Sequence, residues 1–132
     1  MQFPPEVIER ARELLKMGLL WEPKAGHYVY DETSFCRKSS PFQDRVYFIL
    51  NYDYFMDQVG GVERFKAIMT WLPTWHDCRE ILWQYGVSDK EVAGTLRDRG
   101  AIENASELSV LYDVIAALLK RQGTEANIDA RS

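Results

Sequence analysis

The sequence predicts an α+β fold: an N-terminal helix, a small antiparallel three-stranded meander, then four or five packed helices. Three observations lead there. Apolar residues recur at helical spacing over the first residues. Between Leu19 and Asn51 the period changes to two. Helical spacing then returns, punctuated by Gly60-Gly61, Pro73, Gly86 and Gly100.

The first helix is predicted over residues 5 to 17. Val7, Ile8, Ala11, Leu14 and Leu15 fall on one face, with Glu and Arg opposite. Pro5 suits the first turn, where its missing N–H has no partner to lose. Gly18 suits the closing left-handed position.

Leu19-Leu20-Trp21-Glu22 and His27-Tyr28-Val29-Tyr30-Asp31 flank the turn-rich Pro23-Lys24-Ala25-Gly26 and read as a hairpin. Arg45 to Asn51 reads as the third strand. Val46, Phe48 and Leu50 point one way, Tyr47 and Ile49 the other. Both faces are apolar, so this strand is expected to be central and covered on both sides. The polar connection from Glu32 to Asp44 holds Cys36-Arg37-Lys38-Ser39-Ser40. Its length suggests function, mobility or a hidden short strand.

Asn51 can cap the next helix, which ends at Gly60-Gly61. Val62, Phe65, Met69 and Leu72 mark another, stopped by Pro73. Thr74 caps a third, with Trp75, Cys78, Leu82 and Tyr85 inward and Gly86 closing it. Ser88-Asp89-Lys90-Glu91 reads as a capping box, with Val87 stapled onto Val92. Asn104-Ala105-Ser106-Glu107 opens the last helix, expected to run to about Arg121, with a frayed tail over 123–132. Leu108, Val110, Leu111, Tyr112, Val114, Ile115, Ala117, Leu118 and Leu119 cover most of its circumference. Such a helix is covered on two sides, either at the domain centre or in a homodimer through the 105–121 helix.

At 132 residues, with no linker or repeat, the chain is expected to be a single domain over 1–132. Apolar residues make up 46% and charged residues 27%, an ordinary globular balance. A net charge of -4 disfavours wholesale binding to nucleic acid. No basic start with an apolar run opens the chain, and no apolar stretch is long enough to span a bilayer. Two cysteines make no disulfide framework. A cytoplasmic protein without a membrane partner is the expectation.

His27, Cys36, His76 and Cys78 are the only His and Cys residues. Their spacing is wrong for a zinc finger, and Cys78 falls on an apolar helix face, so no metal is expected. Cys36 could pair with His27 or His76 as a nucleophile, its thiol pKa depressed by Arg37 and Lys38, but no orienting third residue is evident. Asp53 and Asp57 share a helix face near Glu63 and could bind magnesium or exchange protons, or could form a solvated face. Gly60-Gly61 is not a phosphate loop. No cofactor motif is present.

Gly86-Val-Ser-Asp-Lys-Glu-Val-Ala-Gly-Thr-Leu resembles the first half of a transcription-factor helix-turn-helix. The resemblance implies a DNA-reading helix next, yet that helix opens Asn-Ala-Ser-Glu-Leu-Ser and is acidic. The segments Trp21-Glu-Pro-Lys-Ala-Gly-His-Tyr-Val-Tyr and Trp71-Leu-Pro-Thr-Trp-His-Asp-Cys-Arg-Glu-Ile-Leu resemble blocks in small uncharacterised bacterial and mobile-element proteins of the phage or integron-cassette type. That resemblance implies no activity and carries over no catalytic residue.

Ten of the 17 aromatic residues fall between Trp21 and Phe55. With no catalytic set, they suggest a non-enzymatic binding or protein-interaction module. Its ligand-binding residues would come from Trp21, Tyr28, Tyr30, Tyr47, Tyr52 and Tyr54. The alternatives are rings that only fill a core, a small enzyme or metal-dependent hydrolase using Asp53, Asp57 or His76, and, last, a DNA-binding regulator.

Overall fold

The computed structural model of the chain describes residues 2–36 and 40–131, with side chains described as far as Gln122. In chain order the elements are α1 (Pro5–Lys16), β1 (Tyr28–Asp31), β2 (Val46–Phe48), α2 (Tyr52–Val59), α3 (Val62–Ile68), β3 (Met69–Leu72), α4 (Trp75–Gln84), α5 (Asp89–Asp98) and α6 (Glu107–Arg131). The fold is α+β with an antiparallel three-stranded sheet, in the order β2-β1-β3.

Two of the expected strands change. Leu19 to Glu22 forms no strand. Leu19 and Trp21 are buried while Leu20 is 91% exposed, which imitates strand alternation. The amides of Gly18 and Leu19 instead donate to Leu15 and Leu14, closing α1. The third strand comes from Met69–Leu72, which had read as helix. All four of its side chains are buried, so no apolar–polar alternation marks it. Met69 is the switch point. Its N–H still donates to Phe65 of α3, while its own backbone is already extended (φ -117°, ψ 143°).

The sheet is therefore not a sequential meander. β1 is the central strand, and β2, expected to be central, lies at an edge with β1 as its strand neighbour. Tyr47 and Phe48 are only half-buried and Leu50 is 81% exposed.

Alternation along β1 assigns the two faces. Tyr28 and Tyr30 share one face with their cross-strand partners Phe48, Leu72, Val46 and Thr70. Phe3, just before α1, packs its ring 5.5 Å from that of Tyr28. The Arg12 guanidinium of α1 lies 5.2 Å from the Tyr30 ring centroid. Arg12 also holds both carboxylate oxygens of Glu32, at 2.7 and 2.8 Å. Val29 and Asp31 share the other face with Tyr47, Trp71 and Met69. There Trp21 packs between Trp71 and Phe65 of α3.

α6 packs on α1, α4 and α5. Val110, Leu111, Tyr112, Ile115 and Leu119 are buried, and the Tyr112 hydroxyl donates to the Pro73 carbonyl. Asp113 accepts from Arg10 of α1 and Arg99 after α5, at 3.0 and 3.2 Å. Cover from three helices accounts for most of the apolar circumference. The helix continues past Arg121 to Arg131, and the side chains from 123 onward, where fraying was expected, lie outside those described.

The helix starts follow side-chain chemistry. Asn51 accepts from Tyr54 N at α2. At α4, Thr74 and Asp77 satisfy each other's backbone amides in a full capping box. At α5 the expected box is half-formed. Ser88 Oγ accepts from Glu91 N at 3.2 Å, but the Glu91 carboxylate faces Ser88 Oγ at 3.4 Å rather than the Ser88 amide. Asp89, in the first turn of α5, accepts from Arg79 and Trp83 of α4 and joins the two helices.

The Ser88 side-chain bond is therefore the main cap of α5. Ser88→Ala should lower stability by about 0.5–2 kcal/mol, read as a shift in the urea midpoint. An unchanged midpoint would mean that the α5 start is held by other groups.

Candidate functional site

The site begins with one buried carboxylate. Asp31, at the end of β1, is 1% exposed. Its Oδ1 accepts from the amides of Thr33 and Phe35 at 3.2 and 3.1 Å, and its Oδ2 from Cys36 N at 2.7 Å. These bonds wrap residues 32–36 around the carboxylate and satisfy a charge that would be costly to bury alone. Ser34 takes a positive φ of 58° within this wrap, and its hydroxyl accepts from Arg45 Nη2 at 2.6 Å.

The wrapped segment, the outer surface of β2 and the first turns of α2 border a half-open cavity of about 600 Å³. It is lined by Ser34, Phe35, Cys36, Tyr47, Tyr54, Phe55 and Gln58. That volume lies in the range of small-molecule sites. Four rings line it, with a hydroxyl, a thiol and an amide among them. On α2, Tyr54 and Gln58 are one turn apart and present one stripe. Phe55 is braced from behind by Phe65, edge to face at 5.6 Å. Tyr47 reaches back so that its hydroxyl lies 3.5 Å from the Cys36 carbonyl.

The environment favours the protonated forms of two lining groups, Cys36 and Tyr47. Burial, then the charge of Asp31 and a hydrogen bond to it, push the Cys36 thiol up to about 11. Burial first, and then Cys36, Asp31 and Asp44, raise the Tyr47 phenol as well, with Arg45 opposing. The described surroundings thus raise the Cys36 thiol rather than depress it. Arg37 and Lys38, the cations invoked for it, lie outside the described residues.

Of the six aromatic residues singled out from sequence, the structure brings Tyr47 and Tyr54 together at the cavity. Tyr28 and Tyr30 lie on the opposite sheet face, half-buried under Phe3 and Arg12. Trp21 is 4% exposed within the core stack. Tyr52 is half-buried against the core and does not line the cavity. Ser34, Phe35, Cys36, Phe55 and Gln58 complete the lining. The long 32–44 connection hinted at the first three, and the four-residue spacing from Tyr54 identifies Gln58.

The other chemical candidates stay apart. Asp53 and Asp57 are exposed on α2. His76 is exposed and meets Glu80 at 3.1 Å. Cys78 is fully buried. No group of three or more His, Cys, Asp or Glu that could hold a metal exists among the described residues. No protein-family model, curated protein or solved structure matches the chain.

His27 has a structural post. It is 5% exposed and stacks on Trp71 at 4.8 Å. Its Nδ1 accepts from Trp21 Nε1 at 3.2 Å, which requires that nitrogen to be unprotonated. Burial is the main cause holding the His27 pKa below the usual histidine value. Asp77 and Glu80 oppose the shift, and Lys24 adds to it. The unfolded chain therefore takes up this proton first as pH falls. Stability is fully present above about pH 6.5 and is lost as pH drops through the lower folded value. Melting temperature should decline from pH 7.5 to pH 5, and His27→Gln should flatten that decline. Equal slopes in the two proteins would assign the decline to other groups.

Proposed function

We propose that the chain is a non-enzymatic binding module whose ligand enters the cavity between residues 34–36 and α2. The observation that carries this reading is the composition of the lining. Four rings converge, and no carboxylate, imidazole or amine is among the described lining residues. The one nucleophile, Cys36, is a thiol rather than a thiolate at neutral pH. Desolvated rings supply contact area, while Ser34, Tyr47 and Gln58 can orient a ligand by hydrogen bonding. Two free cysteines, Cys36 and Cys78, suit a reducing, cytoplasmic setting.

A fragment screen by protein-observed NMR tests the site. Hits should shift the resonances of Phe35, Tyr47, Tyr54 and Phe55 together. Tyr54→Ala, at a position 60% exposed and so tolerant of change, should weaken the best hit by about fivefold or more. Hits that perturb only other regions would remove the reading.

Self-association through α6 belongs to the same proposal. Leu108, Val114 and Leu118 are only half-buried within the chain and leave apolar surface for a second copy. Sedimentation at micromolar concentration should show a dimer. Leu118→Glu should return it to monomer with its helical circular dichroism intact. A wild-type chain that sediments only as monomer would refute this part.

A further inference from the structure

We infer that the cavity beside α2 binds a small molecule carrying a quaternary ammonium head group, an assignment that rests on the binding-module reading above. A permethylated cation has no N–H to donate, so it needs aromatic faces and negative potential rather than acceptors aimed at it. The cavity offers both. Phe35, Tyr47, Tyr54 and Phe55 supply the faces from three separate segments.

The potential comes from carboxylates placed behind and beside these rings, not among them. Asp31 lies behind the wall, its oxygens committed to the amides of Thr33, Phe35 and Cys36. It cannot reach a ligand, but its charge is felt inside the cavity. Two lining groups, Cys36 and Tyr47, are held in their uncharged forms partly by it. The same field that disfavours a new anion there favours a cation. Asp53 and Asp57 stand one turn apart on α2, next in sequence to Tyr54 and Gln58, and both are exposed.

The wall already meets a cation of the chain itself. The guanidinium of Arg64, on α3, lies 5.8 Å from the Phe35 ring centroid. This is within cation–π reach, and it shows that a ring of this wall accepts positive charge on its face. None of the described lining residues is cationic, and an anionic ligand would face Asp31 across the wall. A small molecule fits better than a modified peptide side chain. The space is of small-molecule size.

Calorimetric titration of the full chain with choline tests this against 3,3-dimethylbutan-1-ol, its neutral isostere. Choline should bind at least about tenfold more tightly, and Tyr54→Ala should weaken it by about tenfold. Arg64→Ala should leave choline binding unchanged or strengthen it, because a competing cation is removed. Equal binding of the two probes would overturn the charge assignment while leaving an aromatic-lined site in place. Failure of choline to bind, with fragments still reaching the cavity, would do the same. A trimethyl-lysine peptide binding where choline does not would overturn the small-molecule assignment. Failure of every fragment to reach the cavity would instead remove the underlying binding-module reading.

Discussion

The buried carboxylate of Asp31 is the constraint on which the edge of this domain depends. A carboxylate at 1% exposure needs donors, and none is a cationic side chain bonded to it among the described residues. Three backbone amides among the next five residues serve instead, so the carboxylate dictates the path of the chain that follows it. That path is strained in two places. Ser34 and Arg45 are both non-glycine residues at positive φ, 58° and 65°. They are bonded to each other through Arg45 Nη2 and Ser34 Oγ. Backbone strain persists where the surroundings over-determine it, and here one charge and one hydrogen bond do so. The result is a wall on one side of a cavity.

Sheet alternation explains why so aromatic a stretch is neither all core nor all site. Successive residues of β1 and β2 face opposite layers. Tyr28 and Phe48 go toward α1, and Tyr47 goes toward α2. The edge position of β2 then matters, because a central strand would have had a neighbour across the space where the cavity opens. The core takes Trp21, Trp71 and Phe65 on the cavity side, so these rings support the site without lining it.

Where the sequence carried a local chemical signal, the element was legible. Pro5 opens α1, Asn51, Thr74 and Ser88 accept at the starts of α2, α4 and α5, and Gly60 closes α2 with φ 99°. Where identity depended on partners far along the chain, it was not. Met69–Leu72 carries helical spacing and becomes a strand because β1 is there to pair with it. Leu19–Glu22 alternates like a strand and stays irregular because α1 uses its first amide. The site was legible by half for the same reason. Tyr47 and Tyr54 stood out as amphipathic rings. Phe35 joins them only through the turn that Asp31 imposes, and no local pattern encodes that turn.

The strand order has a consequence for how the chain comes into being. β1 meets β2 across one connection, but Tyr28 meets Leu72 only after α2 and α3 have been laid down. Pairings between such distant residues close slowly, because loop entropy is lost before the contact is gained. During synthesis, β1 leaves the ribosome well before β3 and carries an open edge beside exposed rings. An open strand edge among apolar side chains is a template for other chains. The most vulnerable moment for this protein is therefore the interval between making Asp31 and making Leu72.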